Sequence, residues 1–305
     1  MISIIICTYN RDAYIYKTLE CIAKNGFATD EYEVLLIDNN CTDNTVAECQ
    51  RFQANYPNVP YSYYKETNQG LSFARNRGIQ ESHGDYCVFL DDDAYVQPDY
   101  LKNLKRNLIQ FPETVAFGGK ITPLYETGFE PEWISPRLVP IMSALDKGTV
   151  IEEFTGKSYP IGANMGFKKE CFNTIGLFNT ALGRTKKNML GGEEKDIFDR
   201  LNHLNMKILY FPNVAVQHVI PKSRTTLDFL RRVAYGVGVS EQIRCSKCFA
   251  KHAAAILKEC WKWLGSFALA LFYFCKGTPA KSKALLIFRW NVTKGLLTRK
   301  KYSDD

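Results

Sequence analysis

Three consecutive aspartates, Asp91, Asp92 and Asp93, follow the apolar run Phe89-Leu90. Neighbouring carboxylates repel one another, which raises their pKa values and costs stability unless a cation lies between them. A hard divalent cation with oxygen ligands, such as Mg²⁺ or Mn²⁺, relieves that repulsion and can bridge to a diphosphate. An acidic turn or helix cap is the competing interpretation. The position directly after an apolar strand favours the metal site.

Two adjacent glutamates, Glu193 and Glu194, stand in the segment 191–196, whose sequence is GGEEKD. A carboxylate within hydrogen-bond reach of a hydroxyl can accept its proton as the oxygen attacks, so either glutamate is a candidate general base. The competing interpretation is a charged helix N-terminus, which the helix dipole favours. His218 follows the run Val214–Gln217 and is a candidate metal ligand, although a lone histidine after a strand is more often structural.

The elements that must position these residues alternate between strands and helices over the first 120 residues. Apolar and β-branched runs predict strands at 2–7, 33–37, 61–65, 86–90 and 115–117, with helical segments between them. This alternation predicts a parallel α/β sheet, in which ligands bind at the carboxyl ends of the strands. Polar residues gather at those ends, namely Thr8, Asp38 and the aspartates at 91–93.

Beyond residue 120 the pattern is less regular. Residues 120–160 are rich in proline and are expected to be irregular. The further predicted elements are a strand at Gly162–Lys168, a helix at Glu194–Leu204, short strands at Ile208–Phe211 and Val214–Gln217, and helices from Thr225 onward.

Length and composition limit the class of protein. The chain has 305 residues, 46% of them hydrophobic and 23% charged, which excludes a disordered or collagen-like chain. Met1 leads straight into an apolar strand without a basic segment or a small-residue cleavage site, so we expect no signal peptide. Ten cysteines are too sparse for a disulfide scaffold and are expected to be reduced thiols. These features predict a cytoplasmic location.

Charge is distributed unevenly along the chain. Residues 222–305 contain 17 Lys and Arg against 5 Asp and Glu, a net charge of +12, whereas residues 1–221 carry −5. The basic residues interleave with Trp, Phe and Leu and interrupt the apolar span before it can cross a bilayer. This pattern favours an interfacial helix on an anionic membrane surface, at the inner face of the cell membrane. A helical subdomain packed on the core, a homodimer interface and nucleic-acid binding are the alternatives, the last being the least favoured.

Five motifs in order resemble those of family-2 glycosyltransferases, which have the GT-A fold. They are IIICTYNR at 4–11, Asp38, ARNRG at 74–78, DDD at 91–93 and GGEEKD at 191–196. The resemblance covers about residues 1–225. The fifth motif departs from the family pattern, because Glu194 stands where the family places a catalytic aspartate. The carboxylate is kept, with a reach longer by one methylene.

The resemblance implies a mostly parallel sheet flanked by helices, in a catalytic domain at 1–224 made of a nucleotide-sugar half at 1–120 and an acceptor half at 121–224. The helical pattern and the basic, aromatic composition of residues 225–305 predict a C-terminal extension there. The expected catalytic base is Glu194, with Glu193 as the alternative. The expected metal ligands are Asp91, Asp93 and His218, and the expected acceptor contacts are Asn164 and Gly192. The expected donor-binding residues are Thr8, Tyr9, Asn10, Arg11, Asp38, Asn40, Asn68, Gly70, Arg75, Asp91, Asp92 and Arg224.

The expected function is transfer of a sugar from a nucleotide-diphospho-sugar, with a UDP-sugar as the first guess, to a hydroxyl of a glycan or lipid-linked acceptor. The resemblance implies inversion at the anomeric carbon, a divalent cation (Mn²⁺ or Mg²⁺) and a role in cell-surface polysaccharide synthesis of the bacterial type. A sugar nucleotidyltransferase is one alternative, but the loop 8–11 lacks the glycines and lysines that such enzymes usually place there. A non-catalytic nucleotide-sugar or carbohydrate-binding module is the other, and the two adjacent glutamates disfavour it.

Overall fold

The computed structural model describes residues 1–156, 158–183, 192–245 and 249–298. In these ranges the strands are β1 (Ile2–Thr8), β2 (Tyr32–Asp38), β3 (Tyr61–Lys65), β4 (Tyr86–Asp91), β5 (Ala94–Val96), β6 (Ala116–Tyr125), β7 (Glu152–Glu153), β8 (Asn164–Lys168) and β9 (Ile208–Ile220). The helices are α1 (Asp12–Ala23), α2 (Thr45–Asn55), α3 (Leu71–Glu81), α4 (Tyr100–Gln110), α5 (Cys171–Ile175), α6 (Glu193–His203), α7 (Leu227–Cys245), α8 (Phe249–Cys275) and α9 (Pro279–Leu296). Two short 3-10 helices cover Val139–Met142 and Lys222–Thr225.

The strands form one sheet in the order β3-β2-β1-β4-β8-β6-β9-β5, with β7 paired to β9. The pairs β3–β2, β2–β1 and β1–β4 are parallel, as the sequence predicts. The register sets Thr8 opposite Asp38 and Cys7 opposite Asp91. The carboxyl ends of three strands therefore meet at one edge of the sheet, where the predicted polar residues lie. The predicted fold class, a sheet flanked by helices with helices at the C-terminus, is confirmed.

Antiparallel pairing brings the later strands onto the same sheet. β8 pairs with β4 and β6, and β9 pairs with both β7 and β5. The prediction of two short strands at 208–211 and 214–217 is wrong, because β9 runs without a break through Pro212. Its first half pairs with β7 and its second half with β5, so each half has a partner on which to continue. The pairing with β5 sets His218 opposite Ala94, next to Asp93.

Helix α3 lies close to the sheet because Gly78 has no side chain. A Cβ on Gly78 would lie 2.3 Å from Cγ2 of Ile5, which is fully buried in the middle of β1. Real Cβ contacts are almost never shorter than 3.0 Å, so only glycine fits at this position. The close approach sets the position of Arg75, one helical turn earlier on α3.

Contacts between residues divide the chain into two compact units. The first comprises Met1–Leu124, Ser143–Ala181 and Glu193–Val219, and it contains most of the sheet with α1 to α6. The second comprises the described residues of Tyr125–Met142, Leu182–Gly192 and Ile220–Asp305. Its core joins α7, α9 and the segment around Val139–Met142, with Trp133, Leu230 and Leu285 among the buried residues. The predicted domain bounds, 1–224 and 225–305, stay a prediction.

Among the residues that the structure describes, no helix combines the length and the apolar character that crossing a bilayer requires.

Candidate active site

The carboxylate of Asp38 is buried at the end of β2 and held by two hydrogen bonds. Its Oδ1 accepts from the Cys41 backbone N–H at 2.7 Å, and its Oδ2 accepts from the Tyr63 hydroxyl. These partners fix the direction of the side chain at the strand edge.

Asn39 is a buried residue that sequence reasoning missed. Its Nδ2 donates to the backbone oxygens of Asn68 at 2.7 Å and Glu66 at 3.1 Å. Its Oδ1 accepts from the Gly70 N–H at 2.7 Å. One amide therefore ties the end of β2 to the loop that carries two predicted donor-binding residues, Asn68 and Gly70. The only sequence signal was the Asn-Asn pair that follows Asp38.

The loops after β1 and β2 each contain an asparagine with positive φ, Asn10 at 54° and Asn40 at 68°. Asparagine tolerates this left-handed backbone better than most residues. Asn10 Oδ1 accepts from the Thr42 N–H at 2.7 Å, and Asn40 Nδ2 donates to the Thr67 oxygen at 2.9 Å. The two loops are joined at the edge where Thr8, buried, and Tyr9, half-buried, also lie.

The aspartate triplet and His218 meet at the end of β4. Asp91 is the last residue of β4, and Asp92 and Asp93 form the turn into β5. His218 Nε2 lies 2.9 Å from Asp93 Oδ1 and 3.6 Å from Asp91 Oδ2. One ligand atom from each of Asp91, Asp93 and His218 falls within 4.8 Å of the others, an arrangement that can hold a metal ion. Two carboxylates and an imidazole suit a divalent cation such as Mn²⁺.

Arg11 forms ion pairs with the other side of the triplet. Its Nε lies 3.3 Å from Asp92 Oδ1, and its Nη2 lies 3.2 Å from Asp93 Oδ2. Burial opposes the charge of Arg11, but Asp92, Asp93 and Asp91 raise the pKa of the guanidinium above its ordinary value. Burial raises the pKa of Asp92, which Arg11 partly offsets. The backbone oxygen of Asp92 accepts a hydrogen bond from Thr18 Oγ1 at 2.7 Å, which fixes the turn to α1.

Arg75 is buried in the first unit and binds both candidate bases. Its Nη1 lies 3.1 Å from Glu193 Oε1, and its Nη2 lies 3.2 Å from Glu194 Oε1. Burial alone would lower the pKa of this guanidinium, but the nearby carboxylates of Glu194, Glu193 and Asp91 raise it by more. The net shift of its pKa is therefore upward. Its Cζ also lies 5.3 Å from the centre of the Phe178 ring. Arg75 is therefore a fixed cation that orients the first turn of α6.

Gly162 leaves the space in which this ion pair sits. A Cβ at Gly162 would lie 2.1 Å from Arg75 Nη2 and 2.1 Å from Glu194 Oε1. The backbone of the 161–163 loop thus comes directly against the pair, and glycine is the one residue that leaves it undisturbed.

The two glutamates differ in exposure. The side chain of Glu193 is 5% exposed, whereas that of Glu194 is 22% exposed. Both begin α6, together with Asp196, so the helix dipole favours all three charges. Glu194 is the one of the pair with access to solvent at the site. Gly191, the first residue of this motif, lies outside the described residues.

The structure describes three further residues that were predicted to contact a ligand. Asn164 is fully buried, and its side chain bridges elements: Oδ1 accepts from the Tyr100 hydroxyl at 2.7 Å, and Nδ2 donates to the oxygens of Val214 at 2.8 Å and Lys120 at 3.2 Å. Its protein contacts are therefore structural. Gly192, with φ of 97°, and Arg224, in the 3-10 helix Lys222–Thr225, belong to the second unit. The ligand contacts of these three residues stay predictions.

Solved structures share this architecture. The mannosyltransferase PcManGT of Pyrobaculum calidifontis, determined with GDP-Man and Mn²⁺, superposes with a TM-score of 0.63 at 18% identity, covering 98% of this chain and 88% of that one. Staphylococcus aureus TarS 1–349 with UDP-GlcNAc gives a TM-score of 0.53 at 17% identity, covering 96% and 90%. These likenesses show the GT-A fold.

Sequence comparisons identify the family. The profile of "Glycosyl transferase family 2" matches residues 3–176, more than half of the chain, so this chain belongs to glycosyltransferase family 2. It is 24% identical over 247 residues to the glucosyl-dolichyl phosphate glucuronosyltransferase of Haloferax volcanii, covering 79% of this chain and 76% of that protein. It is 30% identical over 129 residues to a dolichyl-linked diacetamido-glucuronosyltransferase of Methanococcus voltae, covering 41% and 40%. The predicted family and the enzyme class, a glycosyltransferase, are confirmed.

Proposed function

We propose that this glycosyltransferase moves one sugar from a nucleotide-diphospho-sugar to a hydroxyl of a glycan or lipid-linked acceptor, with inversion. The observation that carries the proposal is the convergence of two groups at one sheet edge. Asp91, Asp93 and His218 form a cluster that can hold a cation. Arg75 forms an ion pair with Glu194, and the charge of Asp91 raises the pKa of Arg75. A cation site and a positioned carboxylate are the two parts that an inverting transfer requires.

Asp91, Asp93 and His218 would hold the cation, and the imidazole among the ligands favours Mn²⁺ over Mg²⁺, which prefers oxygen ligands. A cation held there supplies the positive charge that a diphosphate needs to leave. Arg11 binds Asp92 and Asp93 and so keeps both carboxylates in place on the opposite side. Asp92 completes the turn through its backbone bond to Thr18.

The donor nucleotide is proposed to bind across the loops that follow β1 and β2. The fixed carboxylate of Asp38 can accept hydrogen bonds from a base or ribose, and the loop residues tied together by Asn39 surround it. The donor-binding residues proposed are Thr8, Tyr9, Asn10, Arg11, Asp38, Asn40, Asn68, Gly70, Arg75, Asp91, Asp92 and Arg224. A uridine donor is the first to test, because TarS is solved with UDP-GlcNAc.

Glu194 is proposed as the general base. The acceptor hydroxyl has a high pKa and must lose its proton as its oxygen attacks the anomeric carbon. The 22% exposure of the Glu194 side chain leaves it accessible to a bound hydroxyl, while the ion pair with Arg75 orients the group. Attack from the face opposite the leaving diphosphate inverts the anomeric centre. Asn164 and Gly192 remain the proposed acceptor-side positions.

The acceptor is proposed to be lipid-linked, and the enzyme to work peripherally at the cytoplasmic face of the cell membrane in cell-surface glycan synthesis. The two archaeal relatives are named for dolichyl-linked substrates, which supports a lipid-linked acceptor here. The net charge of +12 over residues 222–305 supports association with an anionic membrane.

The test measures nucleotide release from a panel of UDP- and GDP-sugars. The protein is first freed of metal with a chelator and is then assayed without metal and with added Mn²⁺ or Mg²⁺. The proposal predicts metal-dependent release of nucleoside diphosphate from one donor, with an inverted product by NMR. Formation of nucleoside triphosphate and sugar 1-phosphate from the same donors, when pyrophosphate is added, would instead indicate a nucleotidyltransferase. Donor binding without turnover under every condition would indicate a binding module and contradict the proposal.

A further inference from the structure

Helix α8 exposes large apolar side chains and buries an acidic one, which is unusual for a helix of a water-soluble protein. Large apolar side chains stand in water, with Trp261 at 75%, Leu264 at 62% and Leu271 at 64% exposure. The only acidic residue of the helix, Glu259, is instead buried, at 3% exposure. In a soluble helix the apolar stripe packs on the core and the charges face water. In α8 the acidic residue faces inward instead, and six large apolar residues face outward.

A polar network explains why Glu259 lies on the inward face of α8. Glu259 Oε1 and Oε2 lie 3.0 and 3.2 Å from Arg289 Nη1 on α9. Arg289 Nε donates to Ser266 Oγ at 3.2 Å, and Trp263 Nε1 donates to Thr293 Oγ1 at 2.9 Å. Burying an ion pair is favourable only when its partners are satisfied, as they are here. The network attaches α8 to α9 through polar groups and leaves the apolar side outward.

The outward side forms one continuous apolar face. Its residues recur every three or four positions and therefore share one side of the helix. We define this outer face by six residues: Leu257, Trp261, Leu264, Phe267, Leu271 and Phe274. A contiguous face of this kind on a soluble protein marks a contact with another apolar phase. Lys258 and Lys262, both exposed, border it on one side.

A groove continues the outer face toward α7 and α9. It has a volume of about 410 Å³, and its apolar lining includes Trp263, Phe267, Ile287 and Trp290. Arg231 also lines the groove and forms no ion pair with any residue that the structure describes. An unpaired guanidinium beside apolar side chains matches the chemistry of a lipid, a phosphate attached to hydrocarbon.

We infer that the outer face of α8 inserts into the interfacial layer of an anionic bilayer, with Arg231 at the level of the lipid phosphates. The inference rests on the membrane association proposed above and names the surface responsible. Charge decides between a bilayer and a second copy of the chain. Two copies that each carry +12 over residues 222–305 repel, whereas an anionic surface attracts the same charge. Tryptophan, lysine and leucine in this arrangement are typical of helices lying in the interface plane.

The test is flotation of the full chain with vesicles of equal parts phosphatidylcholine and phosphatidylglycerol, compared with phosphatidylcholine alone. The variant is Leu264→Gln with Leu271→Gln. The matched control is Ile109→Gln, which replaces an equally exposed aliphatic residue on α4 of the first unit. We expect the control to float like the wild type. The double variant should lose about tenfold in partition coefficient for each leucine, since burial of a leucine side chain contributes at least that factor.

The outcomes separate this inference from the proposals on which it rests. If wild type and double variant float equally, the outer face of α8 is not the contact and the inference is wrong, although membrane association stands. If the wild type does not float at all, membrane association itself fails. If the wild type is a dimer without lipid and the double variant is a monomer, the face binds a second copy and the inference is overturned. Nucleotide release without vesicles reports separately on glycosyl transfer.

Quenching of tryptophan fluorescence by brominated lipid measures directly whether the outer face of α8 inserts into the bilayer. Trp261 is one of four tryptophans and the most exposed of those in the outer face and groove. We expect strong quenching in the wild type and a large loss of quenching in Trp261→Phe, which keeps the face apolar. Unchanged quenching in Trp261→Phe would overturn the proposed orientation.

Discussion

Replacing Gly162 with alanine places a methyl group in the space of the Arg75–Glu194 ion pair. The new Cβ would lie 2.1 Å from an atom of each side chain, whereas ordinary van der Waals contact begins at 3.4 Å. Arg75 is buried and also held by Glu193, so Glu194 is the group that must give way. The required shift is about 1 Å, and misplacement of that size can cost a reaction about 10²-fold.

We therefore expect Gly162→Ala to lower kcat about 100-fold in acceptor-dependent nucleotide release, with the melting temperature lower by only a few degrees. Gly162 does not have a positive φ, so the substitution acts through space and not through backbone strain. The matched control is Gly265→Ala on α8, where a Cβ meets no atom within 4 Å. That control should leave kcat unchanged and stabilise the helix by about 0.5–1 kcal/mol. Wild-type kcat in Gly162→Ala would refute the role of the pair.

Three further substitutions test the loops, the helix packing and the metal cluster that form the site. Asn39→Ala removes four side-chain hydrogen bonds, so chemical denaturation should show a loss of about 4 kcal/mol in the free energy of unfolding, and donor binding should weaken. Unchanged stability would contradict the role of Asn39 in tying the loops together. Gly78→Ala pushes a methyl group against Ile5 and should cost about 1–3 kcal/mol by the same measurement, whereas a neutral result would mean that α3 can move away freely. Asp93→Asn should abolish Mn²⁺ binding by calorimetry or by electron paramagnetic resonance, and retained Mn²⁺ affinity would place the metal elsewhere.

Sequence reasoning located the strand ends well because parallel pairing fixes what meets there. Apolar runs predicted β1, β2 and β4, and their register alone brings Thr8, Asp38 and Asp91 to one edge. The grouping of Asp91 and Asp93 with His218 followed from the family pattern, and the pairing of β5 with β9 explains it physically. The local pattern of apolar residues was therefore sufficient to predict which residues meet at the ends of neighbouring parallel strands.

Contacts between distant residues were beyond local pattern. The Asn39 amide bonds and the joint pairing of Arg75 with Glu193 and Glu194 depend on how loops and helices fold back, the latter across more than a hundred residues. The contacts of Asn164 with Tyr100, Lys120 and Val214 likewise join distant parts of the chain, so local pattern could not predict them.

The outer face of α8 illustrates a different limit. The sequence shows an amphipathic helix, but periodicity does not say which side faces the protein. The answer came from Arg289 on α9, whose ion pair with Glu259 draws the polar side inward.

The proposed reaction depends on Glu194 accepting the proton of the acceptor hydroxyl. The most direct measurement is the single-turnover rate of Glu194→Gln under saturating donor, metal and acceptor, with donor affinity measured alongside. We expect this rate to fall about 10²–10⁴-fold at unchanged donor affinity. The matched variant Asp196→Asn changes an acid of the same helical turn that pairs with Arg200, at 3.0 Å, and should stay near the wild-type rate. A near wild-type rate in Glu194→Gln, with the large loss in Glu193→Gln instead, would contradict the account and move the base to the buried glutamate.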